Sequence, residues 1–78
     1  MRSEETKAAE AAFGAAERAR VAAVCAYDTA FAAHAAEPSR ASWNAKTAAI
    51  AALSERSAEA GRAERILIET MRADAIRD

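Results

Sequence analysis

The chain has one cysteine, one proline, one histidine, two glycines and four aromatic residues among its 78 positions. Each scarcity excludes something. A single cysteine, Cys25, rules out an internal disulfide and a zinc cluster of the usual kind, and fits a reducing compartment. One proline and two glycines leave few places for turns, so the chain has little room for a fold of many short elements. A single histidine removes the repeated imidazole spacing that marks metal sites. Charge of one sign is missing too: eleven basic and twelve acidic residues are interspersed for a net charge of −1, which supplies no general attraction to nucleic acid or anionic lipid. No run approaches the ~18 apolar residues of a membrane span. The charged start, Arg2 to Lys7, is not followed by an unbroken apolar segment, so no secretory signal is expected and the predicted location is cytoplasmic.

Alanine takes the place of what is missing, at 26 of 78 positions. It is the best helix former but offers only one methyl to a core, so the 53% hydrophobic content overstates what can be buried. Nine arginines against two lysines, with so much alanine, match the codon bias of a GC-rich bacterial or phage genome. A chain this short also buries a smaller fraction of its surface than a typical domain, so completion by another subunit is expected from the outset.

The sequence predicts an all-α fold in a single domain spanning residues 1–78: an antiparallel hairpin of two long alanine-rich helices. Ser3 is a fitting N-cap, with Glu4 and Glu5 in the first turn where carboxylates suit the positive end of the helix dipole. Helix 1 then runs over about 4–36 to Pro38, which disfavours helical geometry at Glu37. A turn over 37–39 leads into helix 2 over about 40–77, capped by Ser39 or Ser42. The alternative is a third helix beginning at Gly61. Against it, Trp43, Ile50, Leu53, Ser57, Gly61, Glu64, Ile68 and Met71 fall on one arc at 100° per residue, and the arc does not reset at the glycine.

Pro38 lies near the midpoint, so the hairpin pairs positions whose numbers sum to about 77. Tyr27 then meets Ile50, Val24 meets Leu53, His34 meets Trp43, and Gly14 comes within a turn of Gly61, where the backbones could approach closely. The expected core within the hairpin is Phe13, Val24, Tyr27, Phe31, Trp43, Ile50, Leu53, Ile68 and Met71. On the opposite side of helix 1, Ala8, Ala12, Ala15, Ala19, Ala22, Ala26, Ala30 and Ala33 form a row stepping by threes and fours. Solvent-facing helix surfaces usually mix in charged residues, so this row reads as a second interface, and a homodimer forming a four-helix bundle is its simplest use. Ile66 joins that interface, because Ile66, Leu67 and Ile68 point in three directions and cannot all face helix 1.

No constellation of nucleophile, base and orienting group is present, and no enzyme activity or cofactor is expected. Cys25, Asp28, His34 and Glu37 lack metal-ligand spacing, so no metal site is assigned. Arg20, one turn after Glu17, could form an interfacial ion pair that sets register. Glu10, Glu17 and Asp28 share a stripe and, with His34 and Trp43 at the hairpin tip, are the candidate contacts for a larger protein. The arginines of helix 2 alternate with Glu55, Glu59, Glu64, Glu69 and Asp74, a pattern of intrahelical pairing more than of phosphate tracking. The expected function is therefore a non-enzymatic protein-interaction or oligomerisation module. The alternatives are a small inhibitory or sequestering protein that blocks a larger partner and, more remotely, a nucleic-acid-binding helical dimer.

Overall fold

The computed structural model describes residues 2–77 as two helices, α1 over Glu4–Ala36 and α2 over Arg40–Arg77, packed side by side along their length. No strand is present among the described residues. The Cα positions span 58 × 13 × 13 Å, the dimensions of a straight helical pair. Gly61 lies within α2 and neither glycine has a positive φ, so the three-helix alternative does not hold.

Local chemistry places both ends of α1 and the start of α2. Ser3 is extended at φ −70 and ψ 167, and its hydroxyl accepts the Thr6 N–H at 3.2 Å, capping α1. At the other end the Glu37 N–H donates to the Ala33 carbonyl at 3.0 Å, after which the residue before Pro38 leaves helical geometry. Ser39 and Ser42 then cap α2 reciprocally: the Ser42 N–H donates to Ser39 Oγ at 3.0 Å and the Ser39 N–H to Ser42 Oγ at 2.9 Å. This is a capping box with serine in the place glutamate usually holds. His34 Nδ1 is hydrogen-bonded to Ser42 Oγ at 2.7 Å, tying the last turn of α1 to the first of α2.

The covered positions repeat every seven residues on both helices. On α1 the seam runs through Thr6, Ala9, Phe13, Ala16, Arg20, Ala23, Tyr27, Ala30 and His34. On α2 it runs through Ser42, Lys46, Ala49, Leu53, Ala60, Ala63, Leu67, Thr70 and Asp74, with Arg56 exposed at the one heptad position that is not covered. Alternating steps of three and four are the signature of a coiled-coil seam, here antiparallel. The expected register stands: the Ser3 N–H reaches Asp74, His34 packs on Trp43, and Lys46 lies over Phe31.

The core expected inside the hairpin is corrected on several positions. Phe13, Val24, Tyr27 and Leu53 are half-buried, but Phe31, Trp43, Ile50, Ile68 and Met71 are exposed at 40% to 54%. The arc drawn through Trp43, Ile50, Ile68 and Met71 is real, but it borders the seam and does not fill it. The physical reason is the alanine content. Small residues at every second seam position of α1 let the backbones approach, and bulky neighbours are displaced to the flanks. The glycines do not mark the closest approach: a Cβ on Gly61 meets nothing within 4 Å, and one on Gly14 meets only the Arg18 guanidinium at 3.5 Å.

Candidate interaction surface

Reversing one helix relative to the other sets each flank of the seam beside its own counterpart, so the hairpin has two broad faces. One carries Val21, Val24 and Phe31 from α1 with Trp43, Ile50, Ile68 and Met71 from α2. Lys46 confirms that the flanks share a side, since its Nζ sits 4.4 Å from the centre of the Phe31 ring and 5.4 Å from that of Trp43. The cation covers both rings partly and keeps its charge at the rim of the patch. Tyr27 stacks against Phe31 with centroids 5.8 Å apart, and His34 against Trp43 at 5.6 Å, completing an aromatic cluster at the tip.

The other face carries the alanine row. Ala8, Ala12, Ala15, Ala22, Ala26 and Ala33 are exposed, whereas Ala19 and Ala30 are half-covered because the row lies beside the seam and not opposite it. Ala41, Ala45, Ala48 and Ala52 of α2 are exposed as well. Towards the open end the face becomes mixed, with Ile66 and Ile76 exposed at 54% and 86% and a shallow groove between Glu5 of α1 and Glu69, Ala73 and Ile76 of α2. Of the three consecutive bulky residues, only Leu67 turns to the seam; Ile66 and Ile68 point to different faces.

The candidate acidic contacts are already engaged in part. Glu10 pairs with Arg2 at 2.7 Å, and Glu17 accepts two hydrogen bonds from Arg20 at 3.1 Å each. Those bonds hold the Glu17 carboxyl below its ordinary range and raise the Arg20 guanidinium above its own. Arg56, at the matching heptad position of α2, stays exposed and pairs with Glu59 at 3.0 Å, so at mid-length the seam has a half-buried arginine on α1 and an exposed one on α2. Asp28 and Cys25 are both exposed on α1. Of the ion pairs expected along α2, Arg56–Glu59 and Arg77–Asp74 form.

One site escaped the sequence reading. Thr6 is 1% exposed and Asp74 8%, and they meet where the start of α1 lies against the end of α2. The Thr6 hydroxyl donates to Asp74 Oδ2 at 2.6 Å, the Ser3 N–H donates to the same oxygen at 3.0 Å, and Arg77 pairs with the other oxygen. The Asp74 carboxyl is therefore held far below the usual carboxylate range, first by the Thr6 hydroxyl and then by the Ser3 amide. The signal was available in the heptad: steps of seven from His34 arrive at Thr6, and steps of seven from Leu53 arrive at Asp74.

A carboxylate whose pKa falls on folding stabilises the native state above its unfolded pKa of about 3.9 and loses that contribution as pH falls below it. Asp74→Asn is accordingly expected to melt at a lower temperature than the parent chain at pH 7, with the difference closing progressively below pH ~4. Thermal melts of both proteins from pH 7 to pH 2 check this; a gap that persists unchanged into acid would show that the charge of Asp74 is not what the clasp uses.

No described helix is long and apolar enough to cross a membrane. Comparison with protein-family models, curated proteins and solved structures finds no match.

Proposed function

We propose that this chain is a helical association module whose first partner is another copy of itself, the two hairpins together making a four-helix bundle. The observation that carries the proposal is the imbalance between core and surface. Among the described residues the buried hydrophobic side chains are Ala9 and Ala60, while Val21, Phe31, Trp43, Ile50, Ile66, Ile68, Met71 and Ile76 stand 40% to 86% exposed. The accessible surface is 5573 Å², whereas a compact monomer of 8.2 kDa exposes about 4,500 Å². That excess, about 1,000 Å², is close to the ~800 Å² that each partner contributes to a standard interface. The radius of gyration of 17.4 Å, against about 11.5 Å for a compact domain of this length, shows the same elongation.

Sedimentation equilibrium tests the proposal. A dimer or larger species at tens of micromolar is expected. A monomer at several hundred micromolar would overturn self-association and leave the second reading, an inhibitory or sequestering protein that offers its Trp43 tip to a larger partner. That reading draws on the exposure of Trp43 beside Phe31.

A further inference from the structure

The hairpin presents two faces to a second copy. The alanine face offers methyl groups and becomes charged towards the open end, whereas the face bearing Trp43 and Phe31 offers bulk that the single chain leaves half in water. Building on the self-association just proposed, we infer that the second copy docks on the Trp43 face, turned end for end, with α2 lying against α2 of the other copy in a register whose paired numbers sum to 118.

The outward stripe of α2 on this face is Trp43, Thr47, Ile50, Ser54, Ser57, Gly61, Glu64, Ile68, Met71 and Ala75, every one of them exposed. Laid antiparallel on its own copy about a two-fold axis at residue 59, it pairs Ile50 with Ile68, Thr47 with Met71, Trp43 with Ala75 and Ser57 with Gly61. Apolar meets apolar, the largest residue meets a small one, and the centre holds two small residues where the axis passes. Ser54 meets Glu64, a hydroxyl donor for a carboxylate. A parallel pairing of α2 with α2 would set Glu64 against Glu64 and Trp43 against Trp43, combining like-charge repulsion with a clash of bulk. The antiparallel arrangement also opposes the helix dipoles.

On α1 the same two-fold axis brings Glu10 towards Asp28 of the second copy. Arg2, 2.7 Å from Glu10, supplies the counter-charge at that level. The face runs most of the length of the hairpin, from Trp43 to Met71 on α2.

Register is read by crosslinking in a Cys25→Ala background. Chains carrying Ile50→Cys and chains carrying Ile68→Cys are mixed, oxidised gently and resolved on a non-reducing gel. The mixture is expected to give a disulfide-linked heterodimer. Ile50→Cys alone should give none, because its two copies lie about 27 Å apart in this register, far beyond the ~7 Å Cα separation a disulfide can bridge. A homodimeric crosslink from Ile50→Cys alone would overturn the arrangement in favour of end-matched hairpins. A chain that sediments as a dimer but gives no heterodimeric crosslink would overturn the register.

The choice of face is read separately. Ile50→Glu with Ile68→Glu should raise the dimer dissociation constant by about a hundredfold or more, whereas Ala19→Glu with Ala26→Glu should change it little. The reverse result places the second copy on the alanine row and sinks the inference. If the unaltered chain is monomeric in the sedimentation experiment, it is the association itself that fails, and the two failures are thereby distinct.

Discussion

Diluting the protein a thousandfold, from about 100 to about 0.1 µM, is expected to lower its melting temperature by about 10 °C. Each tenfold dilution of a dimer that folds as it assembles removes about 1.4 kcal/mol of apparent stability, or about 4 kcal/mol over three decades. A pair of chains of this size has an unfolding entropy near 0.3 kcal/mol per kelvin, so that loss converts to a shift of this order. The expectation arises from the seam. Among the described residues its buried side chains are two alanines, a threonine and an aspartate, and at its middle Arg20 is half-buried and Arg56 exposed. Such a seam can define a register, but it removes little apolar surface from water, and the conformational entropy of ordering the chain opposes it throughout. Circular dichroism melts across the concentration range check the point. A melting temperature independent of concentration would mean that the hairpin folds alone, and the exposed face would need another explanation.

Removing the two large aliphatic residues of the α2 seam should have an effect of similar size. Leu53 and Leu67 stand at equivalent heptad positions, two repeats apart, and are half-buried. Leucine-to-alanine changes in cores cost about 2–5 kcal/mol. Half-burial puts each of these near the lower end, so the double variant Leu53→Ala with Leu67→Ala should lose about 4 kcal/mol. Against the total of about 5–15 kcal/mol available to an ordinary domain, the cooperative transition should fall sharply or disappear. Arg65→Ala, on the outer surface of α2, should stay within about 0.5 kcal/mol of the parent. A double variant that melts like the parent protein would show that the seam does not run where the burial pattern puts it.

Both predictions turn on which residues face which, and here sequence and tertiary structure divide the work. Helix ends were legible because they depend on neighbours in sequence: Ser3 caps α1, Pro38 ends it through Glu37, and Ser39 starts α2. The continuity of α2 through Gly61 followed from the unbroken phase of the apolar arc. The register near 77 followed from the position of Pro38, since a tight turn leaves an antiparallel pair little freedom to slide. His34 against Trp43 is a consequence of that register at the tip.

What the sequence left open is the rotation of each helix about its own axis. Reading faces by bulk put Phe31, Trp43, Ile50, Ile68 and Met71 inside the hairpin and the alanine row on its far side. In the structure the small residues go to the seam, where close backbone approach is gained, and the bulky ones border it. Periodicity alone does not separate a seam from its flank, because both repeat every seven residues and differ only in angle. Thr6 and Asp74 were passed over for a related reason: a polar pair joins a core only when the partner helix delivers its donor and acceptor to the same point. By itself, then, the sequence determined two helices, their ends and their pairing order, all set by local chemistry and chain length. Only the packed pair decided which stripe was buried, and so left a face of aromatic and aliphatic side chains for another molecule to cover.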